Sequence, residues 1–117
     1  MSENTNDPTE PMRMKASLYP SVDEGTACTQ SSFKANKQGF LYIGKQGGRY
    51  KAMFKLKKSI IEADDLAAQT PADFQVGNTG WVTARFTAEE PMPTQLWEKW
   101  LDESYELCFA KKSKGKK

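Results

Sequence analysis

Apolar residues recur along this chain with two different periods, and the changes between them mark out its elements. Phe33 and Ala35 alternate with Lys34 and Asn36, which predicts a strand over Ser31–Lys37. Gly39–Lys45 follows as a second strand whose Phe40, Leu41, Tyr42 and Ile43 make it apolar on both faces. Lys45-Gln46-Gly47-Gly48 is turn chemistry, so this strand and the next, Arg49–Leu56, read as a hairpin. In the third strand Tyr50, Ala52, Phe54 and Leu56 share one face, and Arg49, Lys51, Met53 and Lys55 the other. The apolar set predicts the core side.

The period then lengthens. Ser59-Ile60-Ile61-Glu62 has the form of a capping box, and Ile60, Ala63, Leu66 and Ala67 follow at helical spacing until Thr70-Pro71. Asp73–Val76 and Trp81–Phe86 read as two further strands joined by Gly77–Gly80. In the second of them Val82, Ala84 and Phe86 alternate with Trp81, Thr83 and Arg85. A long helix is expected from Pro93 to about Phe109, with Trp97, Trp100, Leu101, Ser104 and Cys108 in one stripe that covers the sheet. At the other end, residues 1–11 are polar and without period, and read as a disordered leader. A short helix over Met12–Tyr19 is stopped by Pro20. The expected architecture is an α+β domain over residues 12–110, an antiparallel sheet of about five strands with helices packed on one face, followed by a lysine-rich tail at 111–117.

Length agrees with one domain, since 117 residues can bury enough apolar surface to fold without disulfides or metals. No apolar run approaches the roughly 20 residues that span a bilayer, and the N-terminus has no signal-peptide pattern, so a cytoplasmic protein is expected. Cys28 and Cys108 stand 80 positions apart without a metal-ligand spacing and are expected as reduced structural thiols. There is no histidine. Its absence removes the usual general base near neutral pH and the usual imidazole metal ligand. The carboxylate pairs Asp64-Asp65, Glu89-Glu90 and Asp102-Glu103 are adjacent in sequence and point in different directions. The chain is therefore expected not to be an enzyme and to hold no cofactor and no metal.

Net charge is only +2 but is sorted into blocks. Residues 31–58 hold eight basic and no acidic groups, whereas residues 59–110 hold ten acidic and two basic ones. The basic block supplies a candidate site. If helices cover the apolar face, the opposite face presents Arg49, Lys51 and Lys55 beside Trp81, Thr83 and Arg85. Cations for phosphates and an aromatic surface for a base are what binding a nucleic-acid strand needs. The plainer alternative is a solvated face whose lysine stems lie over Trp81. Trp97, Trp100 and Tyr105 have the helical spacing of core residues, and Ser104 and Tyr105 are expected to bond to the sheet or to loops.

Several of these segments resemble the MmcQ/YjbR-like family of small bacterial domains. They are Tyr19-Pro20-Ser21-Val22-Asp23-Glu24-Gly25, Ser32-Phe33-Lys34, Gly39-Phe40 and Phe54-Lys55-Leu56. The more specific ones are Gly80-Trp81-Val82-Thr83-Ala84-Arg85-Phe86 and Trp100-Leu101-Asp102-Glu103-Ser104-Tyr105. The resemblance runs from residue 19 to about 110. It implies a frataxin-like, double-wing α+β fold and the DNA-binding label often attached to that family. Two features depart from the family: the opening helix is short, and Ser21 stands where a glycine is usual. Frataxin-like folds that handle iron use an acidic ridge, whereas Glu62, Asp64, Asp65 and Asp73 are scattered, so no iron site is expected. The expected partner is nucleic acid (DNA) or another polyanion. The rivals are a module for an acidic protein partner and, behind it, a small-molecule enzyme or sensor using carboxylates.

Overall fold

The alternating segments pair into one antiparallel sheet in a computed structural model that describes residues 7–27, 30–77 and 79–109, apart from the side chains of Ala27 and Gln46. In chain order the elements are α1 (Glu10–Leu18), β1 (Val22–Ala27), β2 (Gln30–Ala35), β3 (Gln38–Gln46), β4 (Arg49–Lys55), α2 (Ile60–Gln69), β5 (Phe74–Val76), β6 (Trp81–Phe86) and α3 (Thr94–Leu107). The sheet has six strands in the order β1-β2-β3-β4-β6-β5. This is the expected α+β class with one more strand than expected.

The additional strand, β1, carries Asp23, Glu24, Gly25 and Thr26 exposed, so no alternation announces it. Its ladder to β2, from Val22↔Ala35 to Ala27↔Gln30, makes it a strand. The β2–β3 connection also differs from the sequence expectation. Asn36 and Lys37, assigned above to a strand, both take left-handed backbone angles, φ 51° and 67°, and form the two-residue turn of a hairpin. Gly47 and Gly48 do the same between β3 and β4, as expected.

All three helices pack on the side of the sheet that carries Phe33, Ile43, Ala52, Phe54, Val82 and Ala84. The α3 stripe is buried as its spacing implies: Trp100 and Leu101 are fully enclosed, and Trp97, Ser104 and Cys108 nearly so. Trp100 stands edge-on to Phe54 and Phe74, with ring centroids 5.8 and 6.0 Å away. Ser104 lies at the end of the β3–β4 ladder, accepting the Lys55 N–H at 2.8 Å and donating to the Phe40 carbonyl at 2.6 Å. Its hydroxyl thereby bridges the two groups that would form the next ladder bond after Leu41↔Phe54. Tyr105 stacks on Tyr19 at 4.2 Å and donates to the Pro20 carbonyl, fastening α3 to the end of α1. Tyr19 donates to Asp102, and burial and that carboxylate together push its phenol far above the usual range.

Two local expectations change. Helix α1 starts at Glu10, inside the span read as a leader, because Asp7 Oδ1 accepts both the backbone N–H and the hydroxyl of buried Thr9. Thr9 in turn accepts from Arg13, whose guanidinium reaches Ser31 on β2 at 2.6 Å. The remainder of the expected leader, residues 1–6, and the expected tail at 111–117 lie outside the described residues.

The capping box at α2 does not form. Glu62 instead bonds to Lys99 and accepts the Trp100 indole N–H, both on α3. Glu103 of α3 holds the turn that leads into α2. One of its oxygens accepts the N–H groups of Lys57, Lys58 and Ser59 at 2.6, 2.7 and 3.1 Å, and the other accepts the Ser59 hydroxyl at 2.7 Å. Burial raises the Glu103 pKa, but these donors outweigh it and hold the carboxyl below its ordinary value. Among the described residues no helix is long and apolar enough to cross a membrane.

Candidate nucleic-acid interface

The face opposite the helices is organised by the register between β4 and β6. Lys51 lies opposite Arg85, Met53 opposite Thr83, and Lys55 opposite Trp81. Five of the six residues named from sequence, Lys51, Lys55, Trp81, Thr83 and Arg85, thus form consecutive rungs of two central strands. All are half-buried. Their neighbours at alternate positions, Ala52, Phe54, Val82 and Ala84, are fully buried, and this strict alternation aims the polar set at the other side.

Arg49 is placed differently. Its guanidinium binds Asp73 and donates to the carbonyls of Ala72 and Arg85 at 3.2 and 3.1 Å. It clamps the start of β5 onto β4 and β6, and its charge is matched by a carboxylate. Beyond it, a groove of about 420 Å³ includes Arg85, Thr87, Glu90 and Met92. Asp73 and Glu90 bring negative charge to that end, so the basic area ends at the Lys51–Arg85 rung. Lys51 and Lys55 make no ion pair among the described residues.

Tyr42 was not among the residues picked out from sequence. It lies opposite Met53 on β3, and its ring reaches across β4 to Trp81, with centroids 5.4 Å apart and planes tilted by 53°. The Lys55 ammonium stands 5.6 Å from the Trp81 ring centre, in cation–π range. Glycine at position 39 leaves room for this arrangement, since a Cβ there would overlap the Tyr42 hydroxyl. A signal was present in the sequence: Tyr42 has opposite parity to the core residue Ile43. In a strand apolar on both faces that parity does not say which side is open.

The chemistry available here is electrostatic and aromatic. Lys51 and Arg85 place two basic side chains at one register position of neighbouring strands. The aromatic pair lies two rungs away, about 13 Å along the strands. Elsewhere, burial raises the Cys108 thiol and the side chain is enclosed beside α3, so it is not a nucleophile at rest. Cys28, expected as the second structural thiol, lies outside the described residues. Among the described residues no three Cys, Asp or Glu side chains converge as metal ligands. No protein-family model matches the chain, and no curated protein matches it either.

Proposed function

We propose that this protein binds nucleic acid, or another polyanion, through the helix-free face of its sheet, and that it acts by binding rather than by catalysis. The observation that carries the reading is the in-register set on β4 and β6. Lys51, Arg85 and Lys55 supply positive charge around Met53 and Thr83, and Trp81 stands at one end. The lack of histidine supports a role without acid–base chemistry. The resemblance of Gly80–Phe86 and Trp100–Tyr105 to the MmcQ/YjbR-like family supports it by association alone, because a shared fold carries many functions.

The test is affinity for an oligonucleotide across a salt series. Three phosphate contacts, at Lys51, Lys55 and Arg85, give a slope of log K against log salt of about −2 to −3. Charge reversal at Lys51 should weaken binding on every sequence and flatten that slope by about one unit. If Lys51→Glu leaves oligonucleotide affinity and slope unchanged while a pull-down loses an acidic protein, the face serves a protein partner and the nucleic-acid reading is wrong.

A further inference from the structure

The geometry points to an unpaired strand as the ligand of this face, with Trp81 and Tyr42 together as its base-stacking surface; this rests on the nucleic-acid reading above. The first reason is width. Six strands about 4.8 Å apart put the outer strands about 24 Å from each other, twice the roughly 12 Å opening of the B-DNA major groove. The candidate residues are on β4 and β6, with Tyr42 on β3. All three strands have a neighbour on both sides, so no two-stranded ribbon carrying these residues is free to enter a groove.

The second reason is the kind of surface offered. In a duplex the base faces are stacked on one another, and only edges and phosphates are accessible. Rings displayed on the middle of a sheet are of use only to bases that are already unstacked, which stack on aromatic side chains in a sequence-tolerant way. Tyr42 and Trp81 lean together across β4, both half-buried, and make a surface wider than one ring. The Lys55 ammonium at the Trp81 ring adds a cation beside the stacked base. The Lys51–Arg85 rung, about 13 Å away along the strands, is where the backbone phosphates run on.

Intrinsic fluorescence offers a direct readout. Trp97 is 5% exposed and Trp100 not at all, whereas Trp81 is accessible, so contact quenching reports on Trp81. A labelled single strand of about 12 nucleotides, its duplex, and inorganic polyphosphate would be titrated at about 50 mM salt. The expected result is single-strand affinity about tenfold or more above duplex affinity, with quenching that disappears in Trp81→Phe while binding remains. Trp81→Ala and Tyr42→Ala, with folding checked by circular dichroism, should each lose about 5- to 150-fold on the single strand. Duplex binding should change little. Gly39→Ala, which displaces the Tyr42 ring and leaves every charge in place, should show the same selective loss.

Duplex or polyphosphate binding as tight as the single strand, without quenching, overturns the stacking inference. If Lys51→Glu still weakens that binding, the polyanion reading survives it. Failure of all three ligands to bind would overturn both.

Discussion

Glu103 offers a stringent check on how the helices are joined to the sheet. Its carboxylate accepts three backbone N–H groups and one hydroxyl in the turn that leads into α2, and so ties that turn to a different helix. Hydrogen bonds to a charged group contribute about 1.5–3 kcal/mol each when shielded. Lys57 and Lys58 are exposed, so water replaces part of what they lose. Glu103→Ala should therefore cost about 2 kcal/mol, which for a domain of this length is a fall in Tm of about 8 °C. Glu103→Gln, which keeps an acceptor and loses the charge, should cost about half as much. Because the folded-state pKa lies below the unfolded value of 4.5, the charge-dependent stability is present above pH 4.5 and disappears as pH falls through the folded pKa. The gap between the parent and Glu103→Gln should thus be full at pH 7 and should narrow below pH 4.5. Calorimetric or circular-dichroism melts at pH 7, 5 and 3.5 would measure it. A loss below about 0.5 kcal/mol for Glu103→Ala, or a gap that does not shrink in acid, would show that the carboxylate does not hold the turn that leads into α2.

Three further outcomes follow from the packing. Trp100→Ala removes the fully buried ring between Phe54, Phe74 and Glu62 and should cost about 3–5 kcal/mol by urea unfolding; a loss under about 1 kcal/mol would mean that α3 does not seal the core. Ser104→Ala leaves the Lys55 N–H and the Phe40 carbonyl without their shared partner at the end of the ladder. It should cost about 1–3 kcal/mol, with faster amide exchange at Lys55 as the specific sign. In a Cys28→Ser background, Cys108 should react with a thiol reagent at neutral pH only as fast as the protein unfolds; rapid native-state labelling would contradict its burial beside α3.

Where apolar periodicity was strong, the chain was legible without coordinates. The core faces of β4 and β6 and the α3 stripe follow directly from alternation and helical spacing, because burial demands that pattern whichever partner supplies the contact. The same alternation puts Lys51, Lys55, Trp81, Thr83 and Arg85 on one face, and they become a contiguous patch once β4 and β6 pair in register. What depends on a partner distant in sequence was not legible. β1 is polar and is a strand only through its ladder to β2. Ser59 and Glu62 match a capping box locally, yet α3 brings Glu103 to the first and draws the second to Lys99 and Trp100. Arg49 shares the parity of the other cations on β4, and only the tertiary structure brings Asp73 beside it. Tyr42 joined Trp81 only when the order β3-β4-β6 placed one strand between them. Periodicity is a property of a segment and its solvent; capping, pairing and charge compensation belong to two segments at once, and the tertiary structure alone brings those together.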